Sequence, residues 1–400
     1  VVLLKTDQGN FSRYMIVILL AMGAFGVMGG GLVAPGLTTI GDAFDAPEEQ
    51  IGLILSVYTF AAAVSLPIIG YYIDVVGRKK VGIACLLIDG ITGLIIMYSP
   101  TFSILLILRF IQGIGIAGLV PVAMTVIGDI FSGDLRLQYM GYLSGTISVG
   151  AVLIPLLGGF LATIDWRLVF AAYGFSIALA ISLYLFLPET GSRSKKNTVR
   201  NSSALEYTRS LLSTLKIKKV RNIMIHSLIL FFLLYTLVTY LSLYLIGIHG
   251  FDEMFSGLAL AAQAFFSAVL ASRARFVADY LDWRKRASLG FALISASFVM
   301  MPVWPIGSYL VGLSFVLYGV GMGIVSPTIY TRVTRLSPPD LTGSVVAVFN
   351  TMKYVGMTLA PVVIGLMLIF LRLTTVFILV GLLSAIWALF TLLPEIKSFD

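Results

Sequence analysis

A chain of 400 residues that is 58% hydrophobic and 12% charged, with a mean hydropathy of +1.00, has too little polar surface to close a water-soluble globule. Its apolar runs are about 20 residues long, the length of a helix across a bilayer, which excludes a barrel of short alternating strands. The net charge of +8 reads as membrane orientation and attraction to anionic lipid headgroups, with no nucleic-acid partner.

In chain order, spanning helices are expected near 14–40, 51–72, 81–98, 103–130, 138–162, 168–187, 221–246, 254–278, 287–304, 309–332, 344–367 and 373–393, twelve in all. No cleavable leader is expected, because the first run already has spanning length and many more follow. An even number of spans returns both termini to one side. Arg167 and Arg372 fall in loops on the opposite side and Arg109 and Lys353 inside spans, while the other lysines and arginines share the side of the termini. By the positive-inside rule that side is cytoplasmic, in a plasma membrane.

The longest polar interval, 188–220, divides residues 1–187 from 221–400, six spans from six. Its early part reads as a flexible Ser-rich linker, and Leu205 to Leu215 as a short amphipathic helix on the inner membrane surface. Asn201-Ser202-Ser203 matches a glycosylation sequon, but a cytoplasmic loop does not meet that machinery. Sliding the second half back by 205 residues puts Gly257 on Gly52 and Asp279 on Asp74. One residue more puts Gly319 and Gly321 on Gly113 and Gly115, Pro327 on Pro121, Gly356 on Gly150, Pro361 on Pro155 and Gly365 on Gly159. Two six-helix halves related by parallel repetition are a transporter plan, with the substrate path between them near the midplane.

Several polar residues stand where a membrane chain has reason to be bland. Gly70-x-x-x-Asp74-x-x-Gly77-Arg78-Lys79-Lys80 reads as a polar turn between the second and third spans. It is either a basic loop that fixes topology or a structured loop with a function of its own. Asp89 is the one carboxylate near the middle of a span, and function and hydrogen-bonded structure are both open for it. Arg109, in Arg109-x-x-Gln112-Gly113-x-Gly115, costs roughly 2.5–3.5 kcal/mol to insert; it faces the bundle interior with a partner or snorkels outward. The repeat has Phe315 there, so insertion alone did not require the charge.

Gly141, Gly150, Pro155, Gly158 and Gly159 form a small-residue ladder along the fifth span, where close packing and a proline bend make either a moving seam or a plain packing surface. Lys353, in Asn350-Thr351-Met352-Lys353, lies too deep for easy snorkelling, and its repeat partner is Ile147. Three uses are open: attracting an anionic group on a substrate, pairing with a carboxylate, or losing a proton. Cys85, the only cysteine, reads as a small core residue, and His226 and His249 are too few for a metal cluster.

Taken with the twelve spans, these residues resemble the major facilitator superfamily, and most of all its drug/proton antiporter branch. The turn at 70–80 is similar to the signature loop between the second and third helices, and Arg109 to Gly115 to a second signature. The fifth span is similar to the antiporter signature, with Ile154 where a glycine is usual. The resemblance implies a cytoplasmic latch in which Asp74 accepts from the amino end of the eleventh helix near Ser344, while Arg78 holds Asp129. It places Arg109 and Gln112 in the proton or substrate pathway. The second copy of the loop, Asp279 to Arg286, has Asp282 where Gly77 stands, and Arg335 occupies the position of Asp129, so the latch is expected to be asymmetric.

The expected fold is all-α integral membrane, twelve transmembrane helices in two pseudo-symmetric six-helix bundles working by rocking alternating access. The expected activity is secondary export of amphipathic organic compounds driven by inward proton flow. No Gly-x-x-x-x-Gly-Lys-Ser/Thr loop offers nucleotide as the energy source. Its partners are then a small organic substrate, protons and membrane lipids, with the chain a monomer and no cofactor. A carrier of a specific anionic or lipid-like substrate is the alternative, and a membrane sensor or enzyme a remote one. No nucleophile has a positioned base in sight, because His226 and His249 sit near opposite faces and Cys85 has no evident partner.

Overall fold

The computed structural model describes residues 3–6, 9–190, 217–336 and 342–393. A short antiparallel hairpin, β1 (Leu3–Thr6) with β2 (Gly9–Ser12), precedes the helices. Helix α1 is a pair, Tyr14–Phe25 and Met28–Asp42, bent by 46°. There follow α2 (Glu48–Val75), α3 (Arg78–Ile96), α4 (Phe102–Ile130), α5 (Gly133–Ile164), α6 (Trp166–Phe186), α7 (Val220–Ile248), α8 (Glu253–Ser272), α9 (Trp283–Val303), α10 (Val311–Val333), α11 (Val345–Leu368) and α12 (Leu373–Leu392). Ten of these are each long and apolar enough to cross a bilayer, and the bent pair makes an eleventh. Helix α3 completes the twelve; its composition is diluted because Arg78, Lys79 and Lys80 open it and Asp89 lies within it.

Polar caps set several of the starts. Thr101 accepts from Ile104 N at the head of α4, Asp165 from Arg167 N at α6, Asp252 from Phe255 N at α8 and Asp282 from Lys285 N at α9. Some expected boundaries are corrected. The turn at 70–80 shrinks to Val76 and Gly77: Gly70 and Asp74 lie inside α2, and Arg78, Lys79 and Lys80 form the first turn of α3. Gly77 permits this because its φ of 122° reverses the chain within two residues, a conformation that side chains other than glycine's resist. The expected span 254–278 breaks at Arg273 into α8 and a short helix, Ala274–Tyr280. The expected linker helix 205–215 and the sequon lie outside the described residues.

The hairpin, the end of α12 and the turn at 187–190 share one face, called proximal below; the opposite face is distal. Among the described residues, hydrogen bonds join the first six helices to the last six in the distal half, beginning with Thr38 N, which donates to Ser242 Oγ at 3.3 Å. Thr38 Oγ1 and Ser242 Oγ are 2.8 Å apart, Thr39 donates to Glu253, Ser56 donates to Thr358 O at 3.0 Å, and Thr358 donates to Thr59 Oγ1 at 3.0 Å. The same seam packs α5 on α8 and α2 on α11. A Cβ on Gly257 would meet Pro155 O at 2.5 Å and Gly159 Cα at 3.2 Å, so these helices touch backbone to backbone. The repeat recreates the contact: Gly52 faces Pro361, and Gly365 packs on Glu49 O.

Candidate functional site

At the proximal end, Arg78 is 3% exposed and its guanidinium is fully engaged. Nε donates to Asp129 Oδ2 at 2.9 Å, Nη1 to Ile73 O at 3.0 Å, and Nη2 lies 3.3 Å from Asp74 Oδ1. A planar fork of fixed donors suits this three-way grip, which the point charge of a lysine would not reproduce. The amino end of α3 is capped from the turn that follows α6: Glu189 Oε1 accepts from Arg78 N at 2.7 Å, and Thr190 donates to Asp129 Oδ2 at 3.4 Å. A carboxylate there also meets the positive end of the helix dipole. Lys79 Nζ lies 5.1 Å over the Tyr184 ring, Lys80 is exposed, and Gly70 faces open space. The side chain of Ser344, the expected partner of Asp74, is outside the described residues.

A second cluster lies inside the first half. Arg109 is fully buried, and its donors reach Ile54 O at 3.1 Å, Gln112 Oε1 at 2.8 Å and Gly29 O at 2.8 Å. The guanidinium carbon sits 4.1 Å from the centre of the Tyr58 ring. Arg109 therefore faces inward and does not snorkel. Gln112 continues the chain, donating to Asp89 O at 3.3 Å, and Ser176 of α6 donates to Asp89 Oδ2 at 2.7 Å. Asp89 is itself fully buried, and its Oδ1 has no hydrogen-bond partner among the described residues. The bonds through Gln112 thus link the environments of Arg109 and Asp89.

Between the halves lies a cavity of about 210 Å³. The break of α1 supplies a backbone wall, Gly29 to Gly31, and Tyr58, Phe231, Tyr235, Gln263, Lys353 and Tyr354 supply the side chains that matter. Gly29 has no room for more: an added Cβ would fall 1.9 Å from the Tyr58 hydroxyl. That hydroxyl is buried and has no partner among the described residues. Lys353 Nζ lies 5.3 Å from the Phe231 ring and 5.5 Å from the Tyr354 ring, and makes no ion pair among the described residues. Asn350 is half-buried on α11 and does not line the cavity.

Helix α5 divides along its length. Gly150 and Pro155 line the cavity, Gly158 packs on the backbone of Leu32, and Gly159 meets α8 across the distal seam. Gly141 is exposed with open space around it, so in this arrangement it packs against nothing. The proximal end of the second half differs from that of the first. Asp282 takes an ordinary N-cap conformation, φ −66°, in place of the glycine turn. A pocket of about 450 Å³ there is lined by Asp279, Arg286 and Arg335, and Arg286 Nε is buried with no hydrogen-bond partner among the described residues.

Sequence reasoning passed over Glu189, Ser176, Tyr58 and Gly29. Glu189 had a signal, since Pro188-Glu189-Thr190-Gly191 is a compact polar turn directly after a span. The other three are ordinary residues in apolar runs, identified only by what they touch.

The Major Facilitator Superfamily family model matches residues 19–361. The chain is 26% identical over 350 residues to the bacillibactin exporter of Bacillus subtilis (strain 168), covering 84% of this chain and 85% of that protein. It is 32% identical over 210 residues to the tetracycline resistance protein, class H, of Pasteurella multocida, and that match spans about half of each, 51%. Among solved structures, the nucleoside transporter NupG superposes with a TM-score of 0.78 at 14% identity, over 96% of this chain and 100% of that one, a likeness of fold. With the family match running from the first helix into the eleventh, the chain belongs to the major facilitator superfamily and is one of its multi-pass membrane transporters.

Proposed function

We propose that the protein exports amphipathic organic compounds across the plasma membrane in exchange for protons, by alternating access of residues 1–187 and 221–400 about the central cavity. The observation that carries this reading is the cavity itself. It lies between the halves, is roofed by the distal seam, and is walled by Tyr58 with Arg109 stacked behind it. The name of the bacillibactin exporter supports export of an organic molecule as the direction. Both termini are cytoplasmic by the charge distribution, and the chain acts as a monomer.

Proton coupling is assigned to Asp89 and Arg109. Asp89 has one oxygen held by Ser176 and one with no partner among the described residues, so it has room for a proton. Arg109 is linked to it through Gln112. The proximal cluster of Asp74, Gly77, Arg78 and Asp129 is the inner latch, and the glycine ladder of α5 its moving seam. Each proton entering gains about 2.3 kcal/mol per 100 mV of membrane potential.

Proteoliposomes with an imposed pH gradient test the reading. Organic substrate is expected to move against its gradient only while the pH gradient stands, with Asp89→Asn abolishing the coupling. Accumulation unaffected by a proton ionophore would overturn the antiport, and no movement of any organic compound would overturn transport.

A further inference from the structure

We propose that the central cavity takes aromatic organic anions, with the negative group received by Lys353, and rejects organic cations of the same shape; this rests on the transport reading above. Among the described residues, Lys353 is the only charged one lining the cavity, and the rest of the lining is apolar or neutral. Its ammonium is bounded by the Phe231 and Tyr354 rings and lacks an ion pair among the described residues. A charge taken from water into such surroundings is costly until a counter-charge meets it.

The wall adds a second positive charge. Arg109 is stacked behind Tyr58, and its hydrogen bonds end on two carbonyls and an amide, all neutral. The nearest carboxyl of this cluster, Asp89, lies behind Gln112 and does not line the cavity. In a site of low dielectric constant that imbalance attracts an anion and repels a cation far more than it would in water. The shape of the space points to a flat guest, with glycine backbone from α1 on one side and the rings of Tyr58, Phe231, Tyr235 and Tyr354 around it. The Tyr58 hydroxyl, which has no partner among the described residues, is a donor in the same space.

The test uses three probes with one ring system: naphthalene-2-sulfonate, 2-naphthoate and 2-naphthyltrimethylammonium. Binding to the full chain in lipid nanodiscs is measured by calorimetry. Both anions are expected to bind saturably and the ammonium not at all. Lys353→Met is expected to weaken the anions by about tenfold or more, the loss of a charged hydrogen bond, and Lys353→Arg to keep them within about threefold. Thermal unfolding checks that each variant is folded, and Lys353→Gln replaces Lys353→Met if the latter is not. Equal or tighter binding of the ammonium, absence of saturable anion binding, or undiminished anion affinity in the folded Lys353→Met protein would each overturn the proposal. Counter-flow in proteoliposomes separates the two readings. Lys353-dependent anion binding without counter-flow removes transport and keeps the site, whereas saturable counter-flow of the ammonium alone keeps transport and removes the site.

Discussion

The carboxylate of Glu189 lies where a side chain on residue 77 would have to go: a Cβ added to Gly77 would fall 2.5 Å from Glu189 Oε2. The glycine turn, the cap on α3 and the end of α6 are therefore one unit. Gly77→Ala is expected to cost about 1–3 kcal/mol through backbone strain alone and to expel Glu189 as well. Glu189→Gln keeps the shape and loses the charge, at about 0.5–1 kcal/mol. Thermal unfolding in detergent ranks the two, and equal midpoints for Gly77→Ala and wild type would dissolve the unit.

Arg78 and Asp129 are expected to be coupled in function as well as in space. A double-mutant cycle with Arg78→Gln and Asp129→Asn, read as transport rate per folded molecule, should show an interaction of about 1–3 kcal/mol. Strict additivity with folded single variants would leave the pair a structural brace only.

Arg109→Lys keeps the charge and loses the fork, so at most part of the three-bond arrangement around Ile54, Gln112 and Gly29 survives. Each charged bond lost is worth about 1.5–3 kcal/mol, and transport is expected to fall at least about tenfold in a protein that still inserts. Wild-type exchange by this variant would show that the geometry around Arg109 is incidental.

Gly257→Leu puts a side chain into the backbone contact with Pro155 and Gly159 and is expected to prop the distal face open. Spin labels on the distal loops at Asp45 and Ile306 would report longer separations than in the wild type. Transport should fall about tenfold or more, because one state has been removed from the cycle. Cys85 is buried, which keeps labelling clean. Unchanged separations would mean that α5 and α8 part for some other reason.

His249 caps the distal end of α7, buried, with Nε2 3.0 Å from the Tyr244 hydroxyl and its ring stacked on Phe251. Burial holds its pKa below the ordinary 6.5, so the unfolded chain takes up the proton first. Its contribution to stability is complete above 6.5 and is lost as pH falls toward the folded value. Melting midpoints followed from about pH 8 to about pH 5 should drop more steeply for the wild type than for His249→Gln. Parallel curves would assign the acid sensitivity to other groups.

The fold was largely legible because helix length, the repeat and the charge distribution are all properties of runs rather than of single residues. The position of Arg78 beside Asp129 was legible only through the family resemblance of the loop at 70–80. What the chain hid was of two kinds. The turn at 70–80 looked longer than it is, because charged residues in the first turn of a helix at a membrane surface read like loop. Tyr58, Gly29 and Ser176 were invisible because their importance lies in who faces them: Tyr58 is held between a glycine and a stacked arginine contributed by two other helices. Lys353 was singled out by its depth, but that no carboxylate shares its cavity is a fact of packing.

Gly159 with Gly257, and Gly365 with the Glu49 carbonyl, meet backbone to backbone, so no side chain at these points has to change rotamer when the halves part. Much of the balance between roofed and unroofed forms then falls to a few hydroxyls, those of Thr38, Ser56 and Thr358 among them, each worth about 1 kcal/mol. That makes the resting set point a dial with small, nearly equal clicks. One serine or threonine gained or lost along this line would shift the populations about fivefold, retuning the direction in which the empty protein waits while leaving its cavity untouched.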